Sequence, residues 1–139
     1  MILSYHYTAD YDPPAPIIPI TLISLDDEQV TVGPIEAIVD SGADGTLIPE
    51  SYLQAIQAPA VRKARIKGIT GAGFWADIFL VAIQIGPLKL HGIRAIANPA
   101  REIVLGRNVL NQLDIELNGP AETVELHFRE ALHATGRVK

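Results

Sequence analysis

The chain has 139 residues, 48% of them hydrophobic and 19% charged, with a formal net charge of −5 and no cysteine. That length is one domain's worth and buries about two-thirds of its unfolded surface, so a real core is expected and disorder is not. The acidic balance argues against broad nucleic-acid binding, and the missing cysteines exclude disulfides, thiolate metal sites and cysteine nucleophiles.

The four histidines (His6, His91, His127, His133) are scattered without ligand-like spacing, so no metal site and no cofactor are expected. No segment approaches the ~20 apolar residues that cross a bilayer. Residues 1–7 lack the basic region and long apolar stretch of a signal peptide. The expected location is the cytoplasm, or the soluble part of a larger assembly.

Ten prolines and eleven glycines divide short runs of Ile, Val and Leu. This is the pattern of a mainly β domain with tight turns. Residues 1–8 read as a strand carrying Tyr5 and Tyr7; these tyrosines and Tyr11 read as partly buried strand aromatics. Residues 10–16, with three prolines, read as a connector. Residues 17–25 read as a strand, with Pro19 marking an edge or an early position. Residues 29–31 and 34–39 read as two extended pieces around Gly33-Pro34. Residues 40–46 form a loop, and 49–56 a short helix with Pro49 and Glu50 at its start. Strands at 61–69 and 74–85 flank Thr70-Gly71-Ala72-Gly73 as a hairpin, with Trp75 just past the turn and Asp77 facing solvent. Residues 88–97 and 103–105 read as strands, and residues 107–113 have helical spacing. A second hairpin joins 114–117 to 123–128, and the tail beyond is polar.

The chemistry concentrates in Ala37-Ile-Val-Asp-Ser-Gly-Ala-Asp-Gly-Thr-Leu-Ile48. An apolar strand runs into Asp40-Ser41-Gly42. An acid at the end of a buried strand is costly to ionise unless something offsets the burial. Serine supplies a hydroxyl and glycine allows close backbone approach. Alone, Asp-Ser-Gly would read as a turn capped by its own aspartate. Two other segments weigh against that reading: Ile103-Val-Leu-Gly-Arg-Asn-Val-Leu110, and the glycine-rich hairpin around Gly71 and Gly73.

Together, in this order and spacing, these segments resemble the retroviral-type aspartic proteases (retropepsins) and their single-domain bacterial relatives. The resemblance covers roughly residues 17–128, leaving 1–16 as an N-terminal extension and 129–139 as a C-terminal tail. It implies a mainly β, closed barrel-like fold with one or two short helices and a flap hairpin. By position it implies that Asp40 is the catalytic aspartate, supported by Ser41, Gly42 and Ala43. Ser41 would brace the loop against its symmetry mate. Gly42 and Asp44 would contact bound peptide, and Arg107 would pair with Asp44. The hairpin, with Ile69, Gly71, Ala72, Gly73 and Phe74, would reach substrate as the flap. Apolar cleft positions are expected at Ile48, Ile69, Phe74 and Ile103.

Aspartic proteolysis needs two carboxylates that share one proton and one water. Only one Asp-Ser/Thr-Gly occurs in the sequence, so the second carboxylate is expected from Asp40 of another chain across a two-fold axis. The expected function is a homodimeric aspartic endopeptidase acting on extended peptide or protein substrates. The alternative is a retropepsin-like dimerisation or peptide-binding domain with little or no proteolysis, because a fold does not fix a function. A small-molecule barrel binder explains neither Asp40 nor the Leu-Gly-Arg-Asn segment.

Overall fold

The structure, a computed structural model, describes residues 1–67 and 71–129. In chain order its elements are β1 (Ile2–His6), β2 (Ile17–Ile23), β3 (Thr31–Val39), β4 (Thr46–Pro49), α1 (Glu50–Ala55), β5 (Ala60–Lys67), β6 (Gly73–Ile85), β7 (Leu88–Asn98), β8 (Ile103–Leu105), α2 (Arg107–Leu110), β9 (Asp114–Asn118) and β10 (Thr123–His127).

Six strands close into a barrel in the order β2-β3-β8-β4-β7-β6, because β2 pairs with both β3 and β6. Closure removes the exposed edges that an open sheet would leave. The double pairing is confined to Thr21–Ile23, which face Gln84–Ala82 of β6. Pro19 precedes that stretch, where its missing N–H is tolerated. Ile18, Ile20 and Leu22 of β2 and Val81, Ile83 and Ile85 of β6 alternate into a common core with Leu105. The β5 strand pairs only with β6 and continues the sheet beyond the ring.

The two extended pieces expected around Gly33-Pro34 are one strand. The pairing of β2 with β3 slips between Ile20/Ile35 and Leu22/Val32, so Gly33 and Pro34 oppose Thr21 as a bulge. Gly33 has φ +138°, and a Cβ there would lie 2.8 Å from the Ile20 carbonyl oxygen. Only glycine fits that bulge. A proline and a glycine in a run normally signal a break, and here they bend a strand instead.

Three further expectations are adjusted. The first strand ends at His6; Thr8 instead forms an isolated bridge with Ala15. The helix read over 107–113 stops at Leu110. Its continuation tightens to Gln112 N–H donating to Val109 O and Leu113 N–H to Leu110 O, as β9 begins at Asp114. Tyr5 and Tyr7 pack against the core, but Tyr11 lies outside any strand and donates its hydroxyl to Glu102.

β1, β10 and β9 form a separate three-stranded antiparallel sheet, so the segment before β2 is tied to the chain's C-terminal hairpin. Val124 and Leu126 of β10 are buried in the common core, with Leu3 and Ile115 packed against it. Among the described residues, no helix is long and apolar enough to cross a membrane.

Candidate active site

β3 sets the orientation of the site. Ala37 and Val39 are buried, whereas Glu36, Ile38 and Asp40 alternate onto the opposite face. Asp40 stands one residue past the strand and is exposed. The burial that its apolar approach suggested therefore does not reach the carboxylate in the single chain. The barrel wall ends at Val39, and the chain turns outward into the loop.

β8 fixes this loop from the side. It lies between β3 and β4, parallel to the first and antiparallel to the second. The Asp40 N–H donates to the Leu105 carbonyl at 3.1 Å. Within the loop, Gly42 N–H donates to Asp40 Oδ1 at 2.9 Å and Ala43 N–H to the Asp40 carbonyl at 3.2 Å. The carboxylate is thus aimed by its own turn.

Arg107, at the start of α2, clamps the loop from below. Its backbone N–H donates to the Ala43 carbonyl at 2.8 Å, and Nη1 donates to the Ser41 carbonyl at 2.8 Å. Nη2 forms an ion pair with Asp44. Both partners are solvent-exposed, so the pair is worth ~0–1 kcal/mol in stability. Its consequence is orientation, since one guanidinium reaches two points of a six-residue turn.

A second layer of support was not read from the sequence. Thr46 is fully buried at the start of β4. Its hydroxyl donates to Asn108 Oδ1 at 2.8 Å and accepts from the Gly106 N–H at 3.2 Å. Asn108 Nδ2 in turn donates to the Arg94 carbonyl of β7 at 2.9 Å. This chain of bonds joins β4, β7 and the β8–α2 turn under the Asp40 loop. The only sequence signal was a hydroxyl directly before an apolar run; its partner lies 62 residues away. Replacing Thr46 by valine should leave the Gly106 N–H and Asn108 Oδ1 unpaired and lower stability by about 1–3 kcal/mol in urea denaturation. An unchanged midpoint would mean that the network is not closed in solution.

The apolar positions beside Asp40 differ from those expected. Ile48 and Ile103 are 0% and 1% exposed and belong to the core. Strand alternation sends their neighbours outward instead. Leu47 of β4 pairs with Val104 of β8, which pairs with Ile38 of β3, and all three are half-buried. They make one apolar line across three strands, on the face that also carries Asp40.

In the hairpin, Gly71 and Ala72 are exposed and Gly73 is half-buried opposite Lys67. Phe74 and Trp75 are 55% and 65% exposed, opposite Ile66 and Arg65. Asp77 faces solvent and pairs with Lys63 at 2.9 Å. Ile69 lies outside the described residues. A set of residues able to converge on a cation lies on the β9–β10 pair, not in the Asp40 loop. There Glu116, Glu125 and His127 bring ligand atoms within 4.8 Å of one another. Cross-strand pairing of Glu116 with Glu125 assembles this group, so spacing along the chain did not signal it.

This closed barrel, with an Asp-Ser-Gly loop between β3 and β4, is the retropepsin-like architecture. It superposes on a retropepsin-like aspartic protease from Rickettsia conorii with a TM-score of 0.62 at 13% identity, covering 91% of this chain and 90% of that one. It superposes on EIAV protease complexed with the inhibitor HBY-793 with a TM-score of 0.53 at 18% identity, covering 78% and 93%. The family model described as "gag-polyprotein putative aspartyl protease" matches residues 29–112, and the chain belongs to that aspartyl protease family. A sequence search of curated proteins finds no match.

Proposed function

We propose that the chain is an aspartic endopeptidase that acts as a homodimer, with Asp40 of each subunit forming the catalytic pair. The observation that carries this reading is the single Asp40-Ser41-Gly42 loop. Its carboxylate is exposed and aimed, and its backbone is fixed by Leu105 and Arg107. A lone exposed aspartate has no chemistry that requires so much support, whereas half of a two-carboxylate site does.

In the dimer, two like charges a few ångströms apart cannot both ionise, so one carboxyl keeps its proton. The ionised member takes a proton from the bound water as it attacks the scissile carbonyl. The protonated member donates to the carbonyl oxygen as charge develops there. Ser41, Gly42 and Asp44 are all exposed; in the dimer the Ser41 hydroxyl would brace the opposing loop, and Gly42 and Asp44 would contact the substrate backbone. Ile38, Leu47 and Val104 would receive the side chains flanking the cut, which favours apolar residues there. The peptide would lie extended, adding backbone hydrogen bonds as a strand does. The hairpin bearing Gly71, Ala72, Gly73 and Phe74 would close over it and exclude water. Two large exposed aromatics on a hairpin fit a surface that is covered in use.

The test is incubation of the purified protein with an unstructured protein substrate across pH ~3.5–7, with and without a statine-type transition-state mimic. Cleavage suppressed by the mimic is expected. A demonstrated dimer that binds the mimic yet cleaves nothing would instead make this a peptide-binding domain.

A further inference from the structure

The segment before β2 has no part in the chemistry above, yet it is fixed against the same face of the barrel. Thr8 and Ala15 exchange backbone hydrogen bonds at 2.9 and 3.1 Å, closing residues 8–15 into a loop. Tyr11 pins this loop by donating its hydroxyl to Glu102, just before β8. Between loop and barrel lies a pocket of about 500 Å³.

We propose that this pocket is a distal substrate subsite that takes an arginine or lysine side chain of the peptide. The inference rests on the proteolytic reading for its substrate, but its chemistry is independent of the cut. The floor is apolar, from Ile17, Ile35 and Ile38. The rim carries three carboxylates, Asp10, Glu36 and Glu102, against one guanidinium, Arg101. Among the described residues, none of these carboxylates lies in an ion pair. An aliphatic stem on isoleucines with a cationic head among carboxylates is the way long basic side chains bury themselves. An acidic or short polar side chain gains neither contact.

Its position ties it to the cleft. Glu36, Ile38 and Asp40 lie on one face of β3 at alternate positions. Glu36 therefore stands about 13 Å along the strand from Asp40. An extended peptide covers the same distance in about four residues, so a side chain three or four positions from the cut reaches the pocket. The Tyr11 hydroxyl at the mouth is held mainly by its bond to Glu102. Its pKa is pushed up to about 12, first by the hydrogen bond to Glu102, then by desolvation and by the charges of Glu102 and Asp10.

The test uses peptides identical except for one residue, which is arginine, its uncharged isostere citrulline, or glutamate. That residue is placed three or four positions to either side of the cleaved bond. At one of these positions the arginine peptide should exceed the citrulline peptide at least ~10-fold in kcat/KM, the glutamate peptide being poorest. The arginine-to-citrulline ratio should fall toward unity in the Asp10→Asn/Glu36→Gln double variant, whose unchanged melting temperature is checked alongside. Equal cleavage at every position, or a ratio that the double variant leaves intact, would overturn the proposal. If the wild-type protein cleaves none of the peptides, the proteolytic reading fails separately. Binding of the same labelled peptides by fluorescence anisotropy then decides the pocket. A tighter arginine peptide, equalised in the double variant, supports it; equal or absent binding overturns it.

Discussion

Replacing Gly106 by alanine is expected to destabilise the chain by about 3 kcal/mol or more, a large share of the ~5–15 kcal/mol that holds a domain folded. Gly106 caps α2 with φ −90°, an ordinary value, so backbone strain is not the reason. Space is the reason. A Cβ at this position would overlap the Gly45 carbonyl and lie 2.9 Å from the Ala43 carbonyl oxygen. The Asp40 loop and the β8–α2 turn cross there backbone to backbone. The same crossing carries the Arg107 N–H bond to Ala43 and the Gly106 N–H bond to Thr46. An added methyl must push the two chains apart and break those bonds together. Gly119 is the control, because a Cβ there meets nothing within 4 Å. Urea denaturation of Gly106→Ala beside Gly119→Ala checks the claim, and a Gly106→Ala midpoint equal to that of wild type would contradict it.

Asp40→Asn is expected to leave folding almost untouched and to reduce peptide cleavage by a factor on the order of 10⁴. The side chain is exposed, and its one hydrogen bond within the loop, from the Gly42 N–H to Oδ1, is one that an amide oxygen also accepts. An amide cannot take a proton from water or hold one for the substrate carbonyl, so the general-base and general-acid roles both disappear. Thermal unfolding together with single-turnover cleavage separates the two effects. A variant that unfolds as wild type does and still cleaves within tenfold of it would remove Asp40 from the chemistry.

Much of the barrel was legible because each strand is a β-branched run bounded by glycine, proline or a polar turn, and β8 shows this in three residues, Ile-Val-Leu. What escaped depended on partners distant in the chain. The bulge at Gly33-Pro34 looks like a break until β2 supplies the opposing strand. The phase of alternation in β4 is not legible from its sequence. Four residues ending in proline do not reveal which face is inward, and only the pairing of Leu47 with Val104 decides that Ile48 goes to the core. Asp40 stood out because a charged residue ends an apolar strand beside a glycine. The Thr46–Asn108 bond and the Gly45–Gly106 crossing were invisible, since threonine, asparagine and glycine are ordinary in turns. Their importance arises only where two loops meet. Tyr11 lies in the proline-rich connector and shares an aromatic pattern with Tyr5 and Tyr7, but it leaves their strand and donates to Glu102 instead.

The described residues form one barrel and the sequence holds one Asp-Ser-Gly loop; the central proposal is that each chain supplies half of a catalytic pair. The most direct measurement is the activity of two copies joined by a flexible linker, with Asp40 intact in both, in one, or in neither. The linked wild-type pair should cleave peptide, and the pair with a single Asp40→Asn should be as inactive as the double variant while remaining a folded dimer. Half or more of the activity retained by the single-Asp40 pair would show that one chain carries a complete site, and would contradict the claim.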